Sequence, residues 1–345
     1  MEFMGLLDRW PLLLCIVEVA VLAVGAVLLI VRYDGNSKPT TNPSVGQDIK
    51  NMIAEKPNCE ELWMACGGKL HPGWLLAFRA LAFVYLLPLL LYNFITDGPS
   101  VFYFYTQWTF ALLIAYFGIA VYISSKACLH LRERKEKNTS ARKRSNAPYL
   151  GSEAVEDHEA GYLIRDESDR ASIQILSSAD FQRKNASKVL ESTMQTIFQV
   201  SAPAVLITDS VYWLLLAPLF SPATLDQNFL NVNMHGVNAI LLMGEISLNS
   251  MPFPWFRGAY FALWSILYVV FQWSVHLLGL QWWPYPFLDI STPWAPLWYL
   301  GLIAVHFACF GVCLGLVKAK ENLSCWRSLP RDNLVEEEPT KIYSH

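Results

Sequence analysis

The stretch VFYFYTQWTFALLIAYFGIAVYISSKACLHLRERKEK at 101–137 starts aromatic, runs apolar without a break and ends in a basic cluster. Its apolar part, about 101–124, has the ~20 residues that a helix rising ~1.5 Å per residue needs to cross a hydrocarbon core. The cluster from Lys126 to Arg144 abuts the end of that run. Positive residues beside a span stay on the cytoplasmic side, so this one stretch predicts both a crossing and its direction.

Working outward, six more apolar runs read as spans: about 11–31, 73–95, 194–217, 228–248, 257–279 and 294–317. Segments 96–100, 218–227 and 280–293 hold no Lys or Arg, while 32–72 holds five, 125–193 thirteen and the chain beyond 317 five. The alternation predicts an all-α, seven-helix membrane bundle with its N-terminus outside and its C-terminus cytosolic. Residues 1–125 then form the first three spans with a cytosolic loop at 32–72, and 194–317 the last four. Segment 126–193 forms a long, largely disordered cytosolic loop and 318–345 a cytosolic tail. With 54% hydrophobic and 14% aromatic residues, the net charge of −3 says less than where the charges fall. Trp282, Trp283, Tyr285, Trp294 and Trp298 mark an interfacial belt at the outer end of spans six and seven. The first run is read as a retained span. It is longer than the apolar region of a signal peptide, and Asp8 and Arg9 cancel where positive charge is expected. Glu18 within it has to face another helix or stay neutral.

The long loop opens with RERKEKNTSARKR (132–144) and continues with the acidic GSEAVEDHEAGYLIRDESDR (151–170). Neither half can bury enough apolar surface to fold alone, and the basic half suits anionic headgroups rather than nucleic acid. Cys59 and Cys66 fall in the cytosol, where thiols stay reduced, and are read as packing residues. Cys128 and Cys325 are read as plain thiols with palmitoylation the alternative. The sequons at Asn138, Asn185 and Asn322 all lie in cytosolic segments.

The fifth run, NFLNVNMHGVNAILLMGEISLN (228–249), is the most polar. Asn231, His235, Asn238, Glu245 and Asn249 step by 4, 3, 7 and 4, one helical face, which predicts that they line a cavity or glue the bundle. The topology sets depths below the outer face: Thr106 ~8 Å, His235 ~10 Å, Asp209 ~12 Å and His276 ~5 Å. A hydroxyl, a carboxylate and two imidazoles thus share a layer. A Thr hydroxyl becomes a nucleophile when a neighbouring base takes its proton, and His has the pKa for that task. Asn231, Asn238, Gln107 and Tyr212 are candidate donors to an oxyanion.

Two stretches carry a family resemblance. FYFYTQWTF (102–110) and NMHGVNAILLMGE (233–245) resemble the Thr and His motifs of the androgen-induced integral-membrane proteins. Pro203, SVYW (210–213), SVH (274–276) and YPFLD (285–289) match that family's intervening pieces in order. The layout is also similar to that of the Rolling stone proteins. The first resemblance implies a threonine hydrolase of fatty acid esters of hydroxy fatty acids, acting on membrane lipids with no cofactor or metal. Thr106 would be the nucleophile and His235 its partner, with Asp209 or His276 behind it; that family has an apolar residue where Asp209 stands. The second implies a non-enzymatic interaction protein. A small-molecule transporter would need Glu245 as well. A G-protein-coupled receptor is a poor fit, since span three ends in KACLHLRER and span seven has no Asn-Pro-x-x-Tyr run. A metal-dependent amidase would draw on His235, His276, His306 and Asp209, but no HxxxH pair exists. A haem carrier lacks clearly paired histidines.

Overall fold

Apolar residues dominate the outside of this molecule and charged ones are found within it. In the computed structural model, which describes residues 10–34, 62–68, 70–145, 167–219 and 229–323, Val21, Leu81 and Leu277 are among the most exposed side chains while Arg79 and Glu245 are fully buried. The described residues are helical, apart from turns and two isolated bridges at Ala65. The long helices are α1 (Trp10–Tyr33), α2 (Pro72–Asp97), α3 (Tyr105–Ser145), α4 (Glu167–Val211), α5 (Asn238–Leu248), α6 (Gly258–Leu277) and α7 (Ala295–Asn322). Among the described residues six regions, all those helices but α5, are long and apolar enough to cross a membrane. The outward apolar surface fits a lipid solvent, in which only helices or closed barrels satisfy their own backbones.

Two expectations change. The fifth expected span is helical over 229–248, but it is Phe229–Val232, a π turn at Asn233–Val237 and then α5, rather than one apolar rod. A polar face and a break at His235, whose φ of −125° and ψ of 16° leave the helical region, distinguish it from its six neighbours. The segment read as a disordered loop is helical on both sides: α3 continues to Ser145 and α4 begins at Glu167. Alternating charges at helical spacing support the extension, as in the Arg132–Glu136 pair at i,i+4. Residues 146–166 between them, Cys59, Cys325 and the tail from 324 lie outside the described residues. Cys128 is a free thiol.

Local signals set the boundaries. His71 caps α2 by accepting the Gly73 amide at Nδ1, and Pro72 sits in the first turn, where a missing N–H costs nothing. Gly98, with φ of +73°, lets the chain leave α2 and turn into the 3-10 segment Gly98–Tyr103. α2 packs on α3, α3 on α4, and α4 against α6 and α7, while α1 lies across α6 and α7. A core of Leu86, Phe117, Phe198 and Leu242 joins α2 to α5. The C-terminal end of α1 is fixed by Asp34, which accepts from Tyr260 (2.6 Å) and lies 3.8 Å from Arg257.

Near one end of the bundle, α5 comes so close to α2 that a Cβ on Gly244 would stand 2.7 Å from the Phe78 ring. The approach presses Glu245 onto Arg79. Glu245 accepts from Arg79 Nη2 (2.6 Å) and Nε (3.1 Å) and from Tyr116 (2.6 Å). Arg79 Nη1 also donates to the Leu62 carbonyl and Ser124. Lys320 of α7 closes this end by donating to the carbonyls of Ile246 and Asn249. The network satisfies charges that the apolar surroundings would otherwise make untenable.

Candidate active site

At the opposite end of the bundle the helices part around a cavity of about 570 Å³. Its walls come from the last turns of α2 and α4, the first of α3, residues 230–235, the middle of α6 and α7, and the loop Pro284–Leu288. Most of the lining is apolar, including Val101, Ile207, Val211, Leu230, Val269 and Phe287. Size and lining fall in the range of small-molecule sites, which are ~300–1,000 Å³ and apolar with a few fixed polar groups.

Two π turns shape the wall that carries the histidine. α4 ends in one at Tyr212–Leu216, and the other, Asn233–Val237, interrupts the stretch opposite. A π turn inserts one residue into a helix and frees backbone groups, a distortion frequent at functional sites. The Tyr212 ring lies flat on the His235 imidazole, with centroids 3.9 Å apart and planes 2° from parallel. The Trp213 indole N–H donates to the His235 carbonyl at 2.5 Å. Ring stacking and the backbone bond together fix the imidazole toward the cavity. Behind it Asp209 Oδ1 lies 3.4 Å from His235 Nδ1, a contact of opposite polarity not aligned as a hydrogen bond. Asn238 Nδ2 donates to the same carboxylate oxygen at 3.4 Å.

Thr106 lies one residue into α3 and lines the same cavity. Its hydroxyl lies against the phenol of Tyr285, which burial holds protonated to higher pH than an exposed tyrosine. No hydrogen bond joins Thr106 to His235 among the described residues; the two share the cavity without direct contact through a proton. Gln107, next along α3, donates to the Met234 sulfur at 3.1 Å. Asn231 also lines the cavity.

Other expected residues sit elsewhere. Glu245 belongs to the ion-pair network at the far end, and His276 stacks on Trp283 (3.9 Å, 19°) outside the cavity lining. Asp209, not His276, is thus the group behind His235. Asn233, which the stepping of Asn231, His235 and Asn238 leaves out, is buried and accepts from the Tyr85 hydroxyl at 2.5 Å. The extra residue of the π turn accounts for this, since it rotates everything before His235 relative to α5. Among the described residues no three His, Cys, Asp or Glu side chains gather to hold a metal.

Deeper in the cavity His306, named from the sequence only as a possible metal ligand, meets a serine that the sequence did not single out. Ser265 of α6 and His306 of α7 both line the cavity, with Ser265 Oγ 2.8 Å from His306 Nε2. His306 Nδ1 is 2.7 Å from the Leu302 carbonyl, and the Tyr105 hydroxyl is 2.8 Å from Ser265 Oγ. A serine in an apolar run carries no periodic signal, so its pairing with His306 becomes visible only once α6 and α7 are both packed on α1 and α4 and their side chains reach each other.

Comparisons with protein-family models, curated proteins and solved structures returned no match for this chain.

Proposed function

We propose that this chain is a seven-span membrane hydrolase of a lipid ester, with Thr106 as nucleophile and His235 as base. The observation that carries the proposal is that Thr106 and His235 both line one apolar cavity, with a carboxylate 3.4 Å behind the imidazole. In this reading His235 Nε2 takes the Thr106 proton as the hydroxyl oxygen attacks the ester carbonyl. Asp209 stabilises the imidazolium that forms, as the acid of a triad does. The tetrahedral oxyanion would find donors in Asn231, Gln107 and the Tyr285 phenol. Catalytic hydrogen bonds are commonly loose without substrate and tighten around it, so the absence of a Thr106–His235 bond is compatible with the role.

The expected topology places the cavity at the outer end, where the loops hold no Lys or Arg. Acyl chains would enter between helices from the outer leaflet. The motif resemblance to the androgen-induced proteins supports a fatty acid ester of a hydroxy fatty acid as substrate. Glu245, locked to Arg79 away from the cavity, gives a transporter no mobile charge on the path.

The experiment is ester hydrolysis by protein reconstituted in lipid, followed as fatty acid release by mass spectrometry. Wild type should turn over, and Thr106→Ala and His235→Ala should each lose the larger part of the rate with unchanged insertion and thermal stability. Wild-type rates in both variants would remove Thr106 and His235 from the chemistry, and no turnover by wild type would leave the Rolling stone-like interaction protein.

A further inference from the structure

The cavity holds a second hydroxyl–imidazole pair, and its proton positions follow from chemistry. A carbonyl oxygen only accepts, so the 2.7 Å contact to Leu302 O requires His306 Nδ1 to carry a hydrogen. In the neutral imidazole Nε2 then has a free lone pair, and its 2.8 Å partner Ser265 must donate to it. With that proton committed, the Tyr105 hydroxyl at 2.8 Å donates to Ser265 Oγ. The result is a serine whose proton already points at a base, with the base's other nitrogen held by a fixed acceptor. Nucleophile, base and orienting group stand in the relation an activated hydroxyl requires.

We propose that Ser265 is a second nucleophile of this cavity, activated by His306, and that it takes acyl groups from esters lying deep in the hydrocarbon region. The proposal rests on the hydrolase reading for the acyl chemistry of the substrate, not for the role of Thr106. Ser265 is twelve residues from the Leu277 end of α6, which is ~18 Å along the helix axis and close to the middle of a ~30 Å hydrocarbon layer. Thr106 is at the mouth, in the first turn of α3. An ester at the headgroup level would meet Thr106 first. One set several methylenes down an acyl chain reaches Ser265.

The step balances. Ser265 Oγ bonds to the carbonyl carbon while its proton passes to His306 Nε2. The carbon–oxygen bond to the alcohol then breaks, and the departing alkoxide takes the proton from Nε2. Water repeats the sequence on the acyl-serine, releasing the acid and restoring Ser265.

The test uses full-length protein in lipid nanodiscs with a long-chain alkyl fluorophosphonate, which loses fluoride to an activated hydroxyl, and maps the adduct by peptide mass spectrometry. The phosphonyl group should appear on Ser265. It should persist in Thr106→Ala, vanish in Ser265→Ala, and form about 10²–10⁴-fold more slowly in His306→Gln, the range for losing a general base. Thermal unfolding of each variant separates lost chemistry from lost fold. Labelling confined to Thr106 would overturn the inference and leave the hydrolase reading standing. Labelling of Ser265 at an unchanged rate in folded His306→Gln would overturn the activation by His306. Folded protein that takes no adduct at Ser265 would overturn the inference whatever Thr106 does.

Discussion

Arg79 and Glu245 are charged, fully buried and joined by hydrogen bonds at 2.6–3.2 Å. Removing one partner strands the other charge, which costs ~3–5 kcal/mol, whereas replacing both with apolar residues of similar size is often neutral. Arg79→Met and Glu245→Met should therefore each lower the unfolding temperature in detergent, and the double variant should recover most of the loss. A double variant as unstable as the sum of the singles would mean that the pair is not a unit. At Asp209 the expectation concerns rate. Asp209→Asn keeps the shape but loses the charge facing His235 Nδ1, so kcat should fall about 10²–10⁴-fold with little change in KM. Unchanged kcat would leave the 3.4 Å contact a matter of packing. At this scale the sequence spoke through depth: Thr106, His235 and Asp209 were drawn to one layer by counting residues from the loops, and all three lie at the same end of the bundle. His276 shared that layer too, yet turns away onto Trp283, because depth carries no azimuth.

The elements show where sequence periodicity stops short. A 3.6-residue repeat marked one polar face of the fifth run, and it holds through α5, where Asn238, Glu245 and Asn249 are all buried. Before α5 the π turn resets the phase, so Asn233 turns inward and His235 meets Tyr212. No residue pattern announces a π turn, since its cause is the fit against Tyr212 and Trp213 from another helix. Gly236 provides the test. A Cβ there meets nothing within 4 Å, so Gly236→Ala should leave folding and hydrolysis unchanged. Deleting Gly236 removes the extra residue and restores the α repeat, rotating 229–235 by about 100° against α5. The Tyr212–His235 stack should then be lost, with hydrolysis abolished in a protein that still inserts. An active deletion variant would show that the turn is incidental to the site.

For the molecule as a whole, two ends with opposite characters emerge. The basic continuation of α3 and the charged start of α4 lie at the end that holds Arg79, Glu245 and Lys320, and the cavity opens at the other. Charge counting made this polarity legible, because loop charges and chain direction are both properties of the sequence. The placing of α6 and α7 on the same two helices, α1 and α4, which brings Ser265 to His306, was not, because helix packing in lipid has no periodic charge signature. The proposed orientation makes the cavity end extracytoplasmic and predicts that Asn138, Asn185 and Asn322 carry no glycan, since glycosylation occurs only on the far side of the membrane. Expressed in animal cells, the chain should show no mobility shift on enzymatic deglycosylation, whereas an acceptor sequon added ahead of Met1 should be modified. A native shift abolished by Asn138→Gln or Asn185→Gln would invert the molecule. The cavity would then face the cytosol and draw its ester from the inner leaflet, with the chemistry at Thr106 and His235 unchanged. Orientation and catalysis are thus separable, and the glycosylation result decides which leaflet supplies the substrate.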